Sequence, residues 1–213
     1  MNYYVKNSLV EIRDFKQREL VDTIQFDRRI TTLAVDPRRR NILVCTNGHD
    51  QSKMYLLETN QFKVIDKYSL RANARICRFS PDGRTLTIGH QEGQISLWDT
   101  TNWNEVHWMV EHRSMMIDSV DFSKDGRTLA STCRNGSIHL WHVETGTGFG
   151  HLRRHLSDEY IGLTFMAKGT SLVAARRNGK SPLIEYQTTD LQKNAGQKDR
   201  PAPKKRNPSD ERP

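Results

Sequence analysis

Phe79-Ser80-Pro81-Asp82-Gly83-Arg84-Thr85-Leu86 is followed 43 residues later by Phe122-Ser123-Lys124-Asp125-Gly126-Arg127-Thr128-Leu129. Gly93-Gln94-Ile95-Ser96-Leu97-Trp98 recurs at the same step as Gly136-Ser137-Ile138-His139-Leu140-Trp141. Two separate segments repeating at one offset mark an internal duplication, which has to be read before any single element. The same step carries Phe122 to Phe165, Gly126 to Gly169, Leu129 to Leu172 and Asn135-Gly136 to Asn178-Gly179, a weaker third copy. Backward, a step of 44 carries Pro81 to Pro37 and Leu86 to Ile42, and a three-residue insertion within Asn47 to Ser52 brings Leu57-Glu58 under Trp98-Asp99.

Inside each unit the chemistry is that of short strands. Arg75 to Phe79 alternates apolar and polar, Ser-Pro-Asp-Gly supplies a turn, Thr85 to Ile88 alternates again, and Ile95 to Trp98 alternates a third time. Each unit is therefore a small antiparallel sheet. Trp98-Asp99 closing a third strand, on a 43-residue period, resembles the WD-repeat β-propeller family over roughly residues 8–190. The resemblance implies an all-β fold of four repeat units, a partial or small propeller within residues 1–190. The units fall at about 20–60, 61–101, 102–144 and 145–188.

Members of that family pin a blade with a polar relay: a His before the inner strand, a Ser or Thr on the second strand, an Asp in the next turn and the Trp of the third strand. In the Trp141 unit these positions read His112, Ser131, Asn135 and Trp141. In the unit ending at Trp98 and Asp99 they read Leu70, Ile88, Glu92 and Trp98, so the relay is expected to be lost there; the first unit has Phe26 where the His belongs. Such blades are expected to rely on apolar packing between neighbours. Leu9 to Asp14 aligns with Gln94 to Asp99, so the chain is expected to begin at the third strand of a blade and to supply about seventeen strands. A fragment of a longer propeller, a ring completed by another chain through self-association, and a small closed ring all fit that count.

Composition narrows the chemistry. The chain carries 33 Lys and Arg against 25 Asp and Glu, a net charge of +8. After Tyr186 there are seven basic and four acidic residues with four prolines and no aromatic residue, so residues 191–213 read as a disordered basic tail. No stretch approaches the ~20 apolar residues of a membrane helix, and the start lacks a secretory apolar block, so a cytoplasmic location without a membrane partner is expected. Cys45, Cys77 and Cys133 match neither a disulfide framework nor a metal motif and read as reduced, buried thiols.

His139 and His142 lie three apart on a strand and so point to opposite faces, and His151 and His155 have no third ligand at a defined spacing; no metal and no cofactor are expected. Gly146-Thr-Gly148-Phe-Gly150 has neither a following helix nor a Gly-Lys-Ser/Thr and reads as a turn between strands. The serines lack a plausible His and carboxylate partner, and the pair Asp158-Glu159 reads as loop charge, so no enzymatic activity is expected.

The arginines are more informative. In a propeller of this family the loops before each inner strand and after each second strand open on one face. Those loops hold Arg28, Arg29, Arg71, Arg113, Arg134, Arg153, Arg154, Arg176 and Arg177, with Asp27, Asp50, Glu92, Glu111, Asp158 and Glu159 beside them. Planar guanidinium donors suit carboxylate and phosphate groups. The first reading is a non-catalytic scaffold that binds a protein partner through its loops. A regulatory or sensory propeller segment of a larger signalling enzyme such as a protein kinase is the second. A nucleic-acid-associated propeller, using the basic face and tail, ranks behind both.

Overall fold

The computed structural model describes residues 2–6, 8–14, 16–48, 51–110, 112, 115–133, 136–153, 159–166, 171–177 and 182–187, with 2–6 and 153 given by backbone alone. The tail expected to be disordered lies outside the described residues. What is described is all-β: eighteen strands in five antiparallel sheets.

The first blade holds β1 (Asn2–Lys6), β2 (Leu9–Arg13) and β3 (Leu20–Gln25). The second holds β4 (Arg29–Val35), β5 (Asn41–Asn47), β6 (Ser52–Glu58) and β7 (Val64–Leu70). The third holds β8 (Ala74–Phe79), β9 (Thr85–His90), β10 (Gln94–Asp99) and β11 (Asn104–Val110). The fourth holds β12 (Ile117–Phe122), β13 (Thr128–Cys133), β14 (Ser137–His142) and β15 (Gly148–Arg153), and the fifth β16 (Tyr160–Phe165), β17 (Ser171–Arg176) and β18 (Leu183–Gln187). Consecutive strands pair within each blade, so the 43-residue sequence period is one meander.

The expectation that the chain begins at the third strand of a blade is corrected by β1, which pairs with β2 in the register Asn2↔Arg13 to Lys6↔Leu9. Asn2-Tyr-Tyr-Val-Lys6 has the residue types of a strand but none of the Arg-Thr-Leu signature that marks second strands elsewhere, so the repeat search passes over it.

In the second to fourth blades burial is deepest in the middle two strands or strongest on the second, and it falls off at the outer strands of the second and third. β9 and β13 are buried at all but their first residue, whereas outer strands β7 and β11 leave Val64, Ile65, Val106 and Val110 exposed. The apolar clusters sit at the junctions between blades. Leu43, Cys45 and Met54 of the second blade pack with Cys77, Phe79, Ile88 and Trp98 of the third. Ile95, Leu97 and Met109 of the third pack with Val120, Leu129 and Trp141 of the fourth. Val10 and Ile12 join the second blade, and Leu140 and Leu152 join Tyr160 and Leu172 of the fifth. A blade therefore has two faces to cover and depends on both neighbours, as stacked repeats do.

Inner strands are also stitched to one another. The Thr32 hydroxyl accepts the Cys77 amide at 3.2 Å, and the Ser119 hydroxyl accepts the Leu163 amide at 3.2 Å. Between the third and fourth blades the stitches are ionic, Arg75 to Asp118 at 3.3 Å and Arg78 to Asp121 at 3.0 Å. Asp121 also accepts from the Thr164 hydroxyl at 2.9 Å and the Phe165 amide at 2.8 Å, so one carboxylate joins three blades.

Candidate functional site

The blade pins come first, because they hold the loops. In the fourth blade the Trp141 indole N–H donates to the Ser131 hydroxyl at 2.8 Å, and Ser131 lies 2.7 Å from His112 Nε2. On its other side His112 Nδ1 lies 3.0 Å from the Cys133 sulfur, so both ring nitrogens face buried polar atoms. His112, Ser131 and Trp141 are all buried. Burial, with His139 meeting it edge-on at 4.2 Å between centroids, holds the His112 pKa down to about 3. Asn135, the fourth expected member, lies outside the described residues.

The third blade corrects the expectation of a lost relay. Trp98 donates its indole N–H to the Ser96 hydroxyl at 3.0 Å, and Ser96 lies 3.0 Å from His90 Nε2. His90 Nδ1 sits 3.2 Å from the Ala72 carbonyl, so Nδ1 carries the proton and Ser96 donates to Nε2. Ser96 is the cross-strand partner of Ile88, the position that in the fourth blade is Ser131 opposite His139. The hydroxyl has moved to the neighbouring strand on the same face, and the histidine from the loop to the end of β9. His90 is fully buried, and burial lowers its pKa to about 4. The visible signal is Ser96-Leu97-Trp98: residues two apart on a strand share a face. Asp99 takes no part in this pin; its carboxylate accepts the Thr101 amide at 2.8 Å and hydroxyl at 2.7 Å and shapes the following turn.

The remaining blades use other chemistry instead of apolar packing alone. In the second, the Tyr55 hydroxyl reaches Asp27 at 3.1 Å, and Ser52 lies 2.9 Å from Asn47 Oδ1 and 2.6 Å from Asn73 Oδ1. In the fifth, Tyr186 stands where Trp is expected, and its hydroxyl meets that of buried Tyr160 at 2.7 Å.

Above the pins lies the arginine face. Arg28 donates to the Gln51 carbonyl and lies 3.8 Å from Asp27. Arg71 pairs with Glu105 at 3.2 Å and sits 5.6 Å from the centroid of Trp108, whose ring packs on His90. Arg177 pairs with Glu159 at 3.1 Å. Arg29 is exposed at the start of β4, and Arg176 is half-buried at the end of β17. Arg113, Arg134, Arg154 and the side chain of Arg153 lie outside the described residues. The face is thus partly neutralised by its own carboxylates.

Other sequence readings land as follows. Gly148 and Gly150 belong to β15, and the turn before that strand spans 143–147. His139 stacks at 5.9 Å on both Trp141 and His151, while His142 stacks on Phe149 at 4.2 Å. Among the described residues no group of three or more His, Cys, Asp or Glu is arranged to hold a metal ion. Cys45, Cys77 and Cys133 are buried thiols that form no disulfide with one another. No helix among the described residues is long and apolar enough to cross a membrane.

Sequence reasoning passed over the opposite end of the blades. There the ends of β4, β8 and β12 line a cavity of about 420 Å³, and the turns that follow carry Arg38, Arg39, Arg40, Arg84, Lys124 and Arg127.

Five meanders, the second to fifth stitched through their inner strands and the first packed on the second through apolar side chains, define a repeat-built β-propeller. The family model described as eukaryotic translation initiation factor eIF2A matches residues 1–149, and the chain belongs to that family. No curated protein matches the chain.

Proposed function

We propose that the chain is a non-catalytic propeller that works in translation, docking on a protein partner through the face carrying Arg28, Arg29, Arg71, Arg176 and Arg177. The single observation that carries the reading is the family match over residues 1–149, which spans the first three blades and most of the fourth. Support for a binding role comes from the pins. His90 and His112 are buried with both ring nitrogens engaged by neighbouring polar atoms, a use that fastens the strands within a blade and leaves no ring nitrogen for proton transfer. Rigid loops carry less ordering cost on binding.

Sedimentation with purified ribosomal subunits tests this. The full chain should co-migrate at low salt and release as salt rises, and Arg29→Glu with Arg71→Glu and Arg177→Glu should abolish co-migration while the melting temperature holds. A chain that stays at the top of the gradient at every salt concentration overturns the translation role. Co-migration unchanged in the triple variant overturns the arginine face.

A further inference from the structure

We propose a second docking surface, at the end of the blades opposite the arginine loops, that takes an acidic peptide segment carrying one apolar anchor side chain. It is separate from the face discussed above and stands whether or not that reading holds.

The cavity of about 420 Å³ is walled by Leu33, Val35 and Pro37 of the second blade, Phe79, Ser80 and Pro81 of the third and Phe122 of the fourth, with Asp121, already engaged by Arg78, Thr164 and the Phe165 amide, also in its lining. That size lies in the range of ligand pockets. Val35 is exposed at its mouth, while Phe79 and Phe122 are buried. Arg78 also lines it; its guanidinium is half exposed and gives one donor to Asp121, which leaves others for an incoming carboxylate.

The turns around the mouth form one contiguous rim. Arg38 donates to the Gly83 carbonyl at 2.6 Å, tying the 36–40 turn to the 80–84 turn. A Cβ on Gly126 would lie 4.0 Å from Pro81, so the 123–127 turn follows directly. These turns hold six cations, Arg38, Arg39, Arg40, Arg84, Lys124 and Arg127, against three carboxylates. All three carboxylates are turned into their own loops. Asp36 accepts from Arg38, Asp82 from Ser80 and the Arg84 amide, and Asp125 from Ser123 and the Arg127 amide. Arg38 is spent on Asp36 and the Gly83 carbonyl, while the other five cations, Arg39, Arg40, Arg84, Lys124 and Arg127, are exposed with no such clamp described. Arg39 is held at φ 56° where the sister turns have Gly83 and Gly126, so a cation occupies a position the fold fills elsewhere with glycine.

An exposed cationic rim selects an anionic partner, and the apolar part of the cavity wall at its centre, Leu33, Val35, Pro37 and Pro81, selects one with an apolar side chain to set beside it. Nucleic acid fits the rim less well at the centre, because the buried rings of Phe79 and Phe122 offer no face on which a base could stack.

Fluorescence anisotropy with the full chain tests the proposal. The probe is a fluorescein-labelled peptide of alternating Asp and Glu around a central Leu-Phe; controls are the same peptide with Ser-Ser at the centre and a labelled oligouridine. Saturable binding of the Leu-Phe peptide is expected, weakened at least about tenfold by the Ser-Ser change, by Arg40→Glu with Lys124→Glu, and by Val35→Asp. All three positions are exposed, and an unchanged melting temperature verifies each fold; Arg39→Gly, which suits its backbone, gives a further readout as a several-fold loss. Absence of saturable binding overturns the proposal, as does equal binding of the Ser-Ser peptide. Tighter binding of oligouridine that competes with the peptide and is lost in the charge-reversed variant reassigns the rim to phosphate.

Discussion

Arg39 shows how one residue departs from its repeat. The turns Ser80 to Gly83 and Ser123 to Gly126 place glycine at φ 68° and 71°, and the corresponding Arg39 takes φ 56° with a side chain that disfavours it. Replacing Arg39 by Gly should raise stability by about 0.5 kcal/mol, the relief of left-handed strain less the extra entropy of glycine. The two native glycines should differ. A Cβ on Gly126 meets nothing closer than 4.0 Å, so Gly126→Ala should cost about 1 kcal/mol from strain alone. On Gly83 it would lie 2.5 Å from Asp36 Oδ1 and 2.7 Å from Arg38 Nε, so Gly83→Ala must also break that buried clamp and should cost about 2 kcal/mol or more. Urea unfolding of the three variants checks the order.

At the scale of the element, the two histidine pins should be worth similar amounts. His112→Ala and His90→Ala each strand a buried hydroxyl beneath an indole, at about 1 to 3 kcal/mol. A negligible melting shift for His90→Ala would contradict the Ser96 pin. Both pins are also acid-sensitive. Folded pKa values near 4 and 3 lie below the ordinary 6.5, so the unfolded chain binds protons first as pH falls. Stability should be full above about pH 6.5 and decline as pH falls, to about pH 4 for His90 and about pH 3 for His112, by at most about 3 and about 5 kcal/mol respectively. The His90→Ala and His112→Ala variants should each lose part of that slope in melts taken across the range. The fourth-blade pin was legible because its members occupy the expected positions along the chain. The third-blade pin was not, because matching by position misses a hydroxyl moved across a strand pair, where the geometry is the same and the residue number is different. β1 escaped for a related reason: a repeat template recognises turn and Trp signatures, and Asn2–Lys6 carries neither.

Across the whole molecule, the apolar clusters lie between blades, so stability should be graded along the chain. Among the described residues, middle blades are covered on both faces, whereas the first and fifth each pack on one neighbour. Amide exchange should therefore be slowest at Val44, Ile88 and Ala130 and faster in β2 and β17. Asp121 sharpens the point, since it serves three blades at once. Asp121→Ala should speed exchange in β16, which loses the acceptor for the Phe165 amide, while β5 stays protected. Uniform acceleration in every blade would show that the propeller opens as one unit. The sequence period made the modular layout legible; the stitches were not, because Thr32, Ser119 and Asp121 fall on inner strands that look alike in any single unit.

Dissimilar pins bear on how a nearly duplicated chain avoids folding into the wrong pairing. During synthesis β9 emerges before both β10 and its near-copy β14, and either Trp-bearing strand has the alternation needed to join it. Paired with β14 in the repeat register, β9 would set Ile88 opposite His139 and leave the Trp141 indole with no hydroxyl to receive its proton. Paired with β10, β13 would set Ser131 opposite Ser96, two hydroxyls for one indole. The orphaned donor alone costs about 1 to 3 kcal/mol once buried. Exchanging the hydroxyl between strands in successive copies thus acts as a proofreading mark against pairing β9 with β14, the mismatch in which the indole finds no acceptor.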